Sequence, residues 1–98
     1  MVIKDPEETF AGIECNCYLA VKSKVDYLPR MAEIIPNAEP FVGGVAVEYF
    51  GNVKHVSLIT EVRTDGAMVW ESNYHHCTVS TRFIPYTQHS LVGYWVAG

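Results

Sequence analysis

The chain has 98 residues, a formal net charge of −4 at neutral pH and an apolar fraction of 49%. A chain of this length supports a single domain, residues 1–98, because two separate cores would each bury too little apolar surface to fold alone. The apolar fraction excludes intrinsic disorder, the short apolar runs exclude a membrane-spanning helix, and the absence of a basic cluster argues against nucleic acid as a partner.

The first part of the chain is predicted to form one or two short helices. Residues 1–12 are expected to be an irregular lead-in without the apolar stretch of a secretory signal, which favours a cytoplasmic location on synthesis. Residues 15–24 contain no Gly or Pro and place apolar side chains at helical spacing, which predicts a helix. A second helix is expected from Pro29 to Ile34, and Pro36 must end it because proline cannot continue the hydrogen-bond ladder.

From Pro40 onward the apolar residues alternate with polar ones, a pattern typical of β-strands. The turn signals Gly51-Asn52 and Thr64-Asp65-Gly66 separate the first three predicted strands and indicate hairpins. Helices followed by consecutive strands indicate an α+β domain, in which the N-terminal helix or helices pack on an antiparallel sheet of about five strands. The expected strands are residues 44–50, 53–63, 67–74, 78–84 and 91–96.

The second and third predicted strands carry a group of polar residues that could perform catalysis. Folding the hairpin at its Asp-Gly turn places His55 across from Asn73, with Glu71 one diagonal step away. An imidazole beside such groups is a base with an orienting partner. Cys17, near the start of the first predicted helix, could supply the nucleophile, because helix N–H groups and a nearby imidazolium lower the pKa of a thiol.

Each of these residues also has a plainer interpretation. A cysteine on a helix is usually a small buried apolar residue. His55 could be a structural strand residue, and Glu71 and Asn73 could be the solvated edge of a hairpin. The sequence pattern alone therefore leaves a non-catalytic domain open.

The three cysteines, Cys15, Cys17 and Cys77, form an odd set. An odd number argues against a disulfide framework and leaves at least one thiol free. The two N-terminal cysteines together with the run His75-His76-Cys77 are of zinc-binding residue types, but they lack the usual Cys-x2-Cys spacing. No metal or other cofactor is therefore expected, and a small zinc-stabilised domain remains an alternative.

Several stretches, in order, resemble motifs of the CHAP family, the cysteine, histidine-dependent amidohydrolases/peptidases. Four of them are similar to the opening helix, the Gly-Asp-Val-Ala-Val strand, the strand with the base and the Glu-x-Asn segment of that family. Gly44 stands where the family has Asp. The matching stretches are NCYLAVK (16–22), PFVGGVAVEY (40–49), KHVSLI (54–59) and WESNY (70–74), followed by RFIPY (82–86) and LVGYW (91–95), which resemble its closing strands.

The resemblance implies a papain-like fold and a monomeric cysteine hydrolase that cleaves amide bonds in peptidoglycan or peptides, as a phage-type lysin or tail component does. It implies Cys17 as nucleophile, because Asn16 resembles the polar residue before the family's cysteine, with Cys15 as the alternative. It further implies His55 as base, with Glu71 as its main orienting partner and Asn73 in support. The oxyanion would be held by the Cys17 N–H and a polar group from residues 14–16. A catalytically inactive binding module remains the alternative to an enzyme.

Overall fold

The computed structural model describes residues 13 to 97, and it contains an antiparallel sheet of five strands. The order across the sheet is β4-β3-β2-β1-β5, so the first four strands follow one another as neighbours and the last returns to pair with β1. The predicted lead-in, residues 1–12, lies outside the described residues. The strands are β1 (Val45–Phe50), β2 (Val53–Val62), β3 (Gly66–Ser72), β4 (Val79–Pro85) and β5 (Leu91–Trp95).

The helical segments are shorter than the sequence pattern predicts. One α-helix, α1 (Cys17–Lys22), has six residues, and a 3-10 turn precedes it in place of its expected first residues. The helix predicted from Pro29 to Ile34 is a single 3-10 turn, Met31–Glu33. The proline at position 36 explains this, because it disfavours helical backbone at the residue before it and leaves room for only one turn.

The predicted fold class, an α+β papain-like domain, is therefore wrong. The described residues form a small β-rich domain, in which one six-residue helix and two three-residue 3-10 turns accompany the sheet. The apolar alternation correctly predicted the strands. The helical spacing before it extends over too few residues to form a layer of helices. Among the described residues, no helix has the length and apolar character that crossing a membrane requires.

The sheet buries apolar side chains on both faces. One face packs against α1 through Ala20 and Val21 and against the loops around the helix. The other face carries a second, smaller core cluster on β1 to β4. The sheet residues of the first face are Val45, Val47, Val56, Leu58, Trp70 and Trp95, and the second cluster is Ala46, Ile59, Ala67, Val69 and Ile84.

The second face is strongly curled. Arg82 of β4 forms hydrogen bonds with Glu48 of β1, although β3 and β2 lie between these strands. In a flat sheet three strand spacings of about 4.8 Å each would separate the two backbones by about 14 Å. The curl brings charged side chains from four strands together at one end of this concave face, beside the apolar cluster.

Candidate functional site

Cys17 is the first residue of α1, and the residue before it fixes this start. Asn16 has extended backbone angles, and its side-chain oxygen accepts the N–H of Leu19 at 3.0 Å. This is the ordinary action of an N-cap residue, which satisfies one of the free N–H groups of the first turn. The Cys17 side chain is partly buried, and its sulfur accepts hydrogen bonds from the backbone N–H groups of Tyr18 and Val56.

The Cys17 sulfur reaches β2 where that strand is no longer paired with β3. The pairing of β2 with β3 runs from Val62 opposite Ala67 to Leu58 opposite Trp70. α1 contacts both strands, and the Val56 N–H is available to the sulfur. α1 packs on one face of the sheet, and its first residue also contacts His55 of β2.

His55 lies near the start of β2 and is held by Glu71 of β3. The residue is 4% exposed, and its Nε2 lies 2.8 Å from Oε1 of the fully buried Glu71. The predicted hydrogen bond between the His55 ring and Glu71 is therefore present in the structure. Because Glu71 occupies Nε2, Nδ1 is the ring nitrogen left for the hydrogen bond between His55 and Cys17.

The protonation states of this group favour an ion pair. Burial raises the pKa of the Cys17 thiol, but the hydrogen bond and positive charge of His55, with the backbone N–H groups, outweigh it and lower that pKa overall. Burial also disfavours the imidazolium, yet Cys17 and Glu71 raise the pKa of His55 to about 9. The lowered pKa of Cys17 and the raised pKa of His55 both favour a thiolate beside an imidazolium, the reactive state of a cysteine nucleophile.

Two charged residues that the sequence analysis did not single out complete the site. Arg82 donates to both oxygens of Glu71, from Nε at 2.7 Å and from Nη2 at 2.8 Å. The same guanidinium donates to Glu48, which also accepts the hydroxyl of Ser90 at 2.7 Å. Burial alone would raise the pKa of Glu71, but Arg82 and His55 lower it, so the carboxylate stays charged. A signal existed in the sequence for Glu48, which lies between the apolar residues Ala46 and Phe50 on one face of β1.

Asn73 has a different place from the one predicted. Its Oδ1 accepts the N–H of Cys77 at 2.8 Å, and its φ of 64° is left-handed, a conformation that Asn tolerates. β3 ends at Ser72, so Asn73 begins the turn to β4 instead of continuing the strand face of Glu71. Asn73 thus lines the cleft beside His55, and its amide oxygen shapes the turn.

The pairing of the cysteines contradicts the prediction about disulfides and disfavours the alternative zinc site. Cys15 and Cys77 form a disulfide, so the prediction that a disulfide is absent is wrong, while Cys17 is free. The predicted candidate zinc set loses two thiolates to this bond. Among the described residues, Glu48, His55 and Glu71 are also of metal-binding types. The Arg82 guanidinium already binds both of their carboxylates, which leaves them poorly suited to a metal cation.

An open cleft of about 540 Å³ gives access to the cysteine and the histidine. Its lining includes Phe50 and Val53, at the turn between β1 and β2, and Tyr74 and His75, after β3. A second cavity of about 570 Å³, which Arg63 and Tyr86 line, contains none of the residues of the Cys17–His55–Glu71 chain. The reactive pair therefore faces a space that a substrate could enter.

We compared the chain with models of protein families, with curated proteins and with solved structures, and it matches none of them.

Proposed function

We propose that this protein is a cysteine hydrolase that cleaves amide bonds, with Cys17 as nucleophile, His55 as general base and acid, and Glu71 as the residue that orients the ring. The observation that carries the proposal is the continuous chain of contacts from the Cys17 sulfur through His55 to Glu71 at an open cleft. Burial of a charged histidine between a thiolate and a carboxylate has a free-energy cost, because the charge is removed from water. A purely structural role would not require such a charge, which favours a functional one.

The reaction follows from the positions of these groups. The Cys17 thiolate attacks the amide carbonyl carbon, and the negative charge moves to the carbonyl oxygen. The His55 imidazolium gives its Nδ1 proton to the amide nitrogen, the C–N bond breaks, and the amine leaves from a thioester. Neutral His55 then takes a proton from water, whose oxygen attacks the thioester and releases the acid and the thiolate.

The oxyanion of each tetrahedral intermediate needs a hydrogen-bond donor. The Cys17 N–H is suited to this because the first residue of a helix has no acceptor for its N–H within the helix. The predicted second donor, a polar group from residues 14–16, has one constraint: the Asn16 side-chain oxygen is used as the helix cap. In this mechanism, the Asn16 side-chain amide can only contribute through its nitrogen.

For the substrate we propose an amide bond of bacterial peptidoglycan, within the stem peptide or between sugar and peptide. Support comes from the ordered motifs that resemble the CHAP family, on Cys17, His55 and Glu71 in particular. The papain-like fold lends no support, since the domain is β-rich. The zinc-stabilised alternative is disfavoured by the Cys15–Cys77 disulfide. An inactive binding module is the alternative that the experiment must separate.

The experiment is mass spectrometry of muropeptides after purified peptidoglycan is incubated with wild-type protein and with C17A. The control is H76A, an exposed residue outside the residues that line the cleft. We expect new amine and carboxyl ends with wild type and H76A and none with C17A. Equal products from C17A would overturn the role of Cys17. Binding of peptidoglycan by both wild type and C17A without any cleavage would instead support the binding module.

A further inference from the structure

Arg82 connects the two buried carboxylates of the site. It forms four hydrogen bonds with them, two to Glu71 and two to Glu48. A guanidinium has five N–H donors in one plane, so these bonds fix the direction in which each carboxylate points. Ser90 adds a further bond to Glu48 from the segment before β5.

One oxygen of Glu71 serves two partners. Glu71 Oε1 accepts from Arg82 Nη2 at 2.8 Å and lies 2.8 Å from His55 Nε2. The other oxygen is bound to Arg82 Nε at 2.7 Å. Because the guanidinium holds both oxygens, Glu71 cannot rotate away from the ring without breaking two charge-assisted hydrogen bonds.

Glu48 could compete with Glu71 for the histidine. It pairs directly opposite His55 across β1 and β2, and polar atoms of Glu48, His55 and Glu71 lie within 4.8 Å of one another. Two buried carboxylates at this distance repel each other, and one of them would take up a proton if no cation lay between them. Arg82 supplies that cation, and the ring of Tyr74, 3.8 Å from the guanidinium carbon, covers it.

We propose that Arg82 is a positioning residue for the proposed hydrolysis, which holds Glu71 on Nε2 of His55, keeps Glu48 away from the ring, and so leaves Nδ1 for Cys17. This inference rests on the proposed function for its purpose, but its geometry can be tested without turnover. Arg82 contacts neither Cys17 nor the reacting atoms, so it acts only through Glu71 and Glu48.

The charged and titratable groups around His55 come from every element beside it. Loss of Arg82 removes the support for the ionised form of Glu71, and a neutral or displaced Glu71 no longer stabilises the imidazolium. Hence His55 should release its proton at lower pH in the absence of Arg82. The groups are Cys17 of α1, Glu48 of β1, Lys54 of β2, Glu71 of β3, Arg82 of β4, and Tyr74 and His75 in the turn before β4.

The experiment measures the titration of the His55 ring by NMR and the rate of Cys17 alkylation by iodoacetamide from pH 5 to 10, in wild type and R82Q. Wild-type His55 should titrate near 9. In R82Q the titration should move toward the ordinary histidine value of 6.5, and the rise of the Cys17 alkylation rate should shift to higher pH, because the imidazolium that lowers the Cys17 pKa loses its support. R63Q is the control, because Arg63 is an exposed arginine paired with exposed Glu61. An unchanged His55 titration in folded R82Q would overturn the proposal.

Two further variants keep the inference testable if R82Q does not fold. R82K retains the charge without the planar fork, and E48Q keeps an acceptor for Arg82 without the second negative charge. R82K should shift the titration of His55 in the same direction as R82Q but by less, and E48Q should leave it close to wild type. If R82K titrates as wild type does, the fork has no positioning role. Because neither readout requires hydrolysis, inactivity toward peptidoglycan would count against the proposed function and not against this inference.

Discussion

Glu71 and His55 form a buried ion pair, with 2.8 Å between Glu71 Oε1 and His55 Nε2. Glu71 is fully buried and the histidine is 4% exposed, so the bond is shielded from water and from salt. Such a pair needs further partners to be stable, and it has them in Arg82 on one side and Cys17 on the other. The pairing thus fixes both the orientation of the ring and its charge, which are the two properties a catalytic base requires.

The role of His55 can be tested by replacing it with alanine. H55A should slow hydrolysis by about 100- to 10,000-fold, the usual contribution of general acid–base catalysis. We also expect a loss of about 1–3 kcal/mol in the free energy of unfolding, because a buried hydrogen bond to Glu71 is removed. Urea unfolding and turnover measured on the same preparation separate the two effects. Turnover close to that of wild type would contradict the mechanism.

Glu71 and Asn73 should differ sharply when each is replaced. E71Q removes the negative charge that faces the imidazolium and should reduce turnover and lower the pH of the His55 titration. N73G removes the amide but keeps a residue that adopts the left-handed φ of 64° easily, so turnover should stay within a few-fold of wild type. Initial rates of the two variants at several pH values test this. A larger loss in N73G than in E71Q would contradict this and make Asn73 the main orienting residue.

Cys17 should be the thiol that reacts first. Its pKa is lowered, whereas Cys15 and Cys77 are joined in a disulfide. At mildly acidic pH without reductant, iodoacetamide should label Cys17, and peptide mapping should find the label there. In H55A the pKa of Cys17 should rise, because the imidazolium is absent, and labelling at the same pH should slow. Labelling of Cys15 or Cys77 before Cys17 would contradict this assignment.

The pH dependence of stability follows from the same groups. The raised pKa of His55 gives stability that is complete below pH 6.5 and is lost as the pH rises through about 9. The lowered pKa of Cys17 gives stability that is complete above its ordinary value of 9.0 and is lost as the pH falls. Between pH 6.5 and 9 the contribution of His55 falls as the pH rises while that of Cys17 grows, so the two slopes have opposite signs.

We therefore expect Cys17 to offset the loss of stability that His55 alone would cause between pH 6.5 and 9, and the contribution of Cys17 to be lost as the pH falls through its lowered pKa. Glu71 adds to the acid loss, since its lowered pKa gives stability that disappears as the pH falls below 4.5. In C17S only the histidine slope remains, so stability should decline as the pH rises above 6.5. Urea midpoints of wild type and C17S from pH 5 to 9 test the difference. Parallel curves would show that the ion pair does not form.

The sequence was sufficient to place His55 and Glu71 together, because both lie on one hairpin. Alternation sets the faces of its strands and the Asp65-Gly66 turn sets their register, and both are local properties. Asn73 was misplaced because the pairing was extrapolated beyond Ser72, where the strand ends. The helical layer was overestimated because spacing over so few residues does not show where a helix stops.

The contacts that could not be predicted join distant parts of the chain. Arg82 meets Glu48 only because the sheet curls, and curl depends on the twist of every strand together. The disulfide joins cysteines that are 62 residues apart, and sequence spacing does not determine such a pairing. Both contacts lie at the edge of the site. The residues proposed for the reaction were therefore easier to predict from the sequence than the contacts that hold them in place.

The Cys15–Cys77 disulfide should contribute to both stability and substrate binding. It closes a loop of 62 residues, for which chain entropy gives about 4 kcal/mol of stabilisation. It also ties the turn that holds Asn73, Tyr74 and His75, which line the cleft, to the residue two positions before Cys17. A C15S/C77S variant should therefore unfold at lower urea concentration and bind substrate more weakly.

The thiolate itself should survive this change, because the contacts of Cys17 with His55, Tyr18 and Val56 do not pass through the disulfide. In C15S/C77S we expect KM to rise while kcat and the pH profile of Cys17 alkylation stay close to those of wild type. Steady-state kinetics and alkylation rates on the same variant measure both. If kcat falls and the alkylation profile shifts to higher pH while KM is unchanged, the disulfide holds the nucleophile itself in place and not the wall of the cleft.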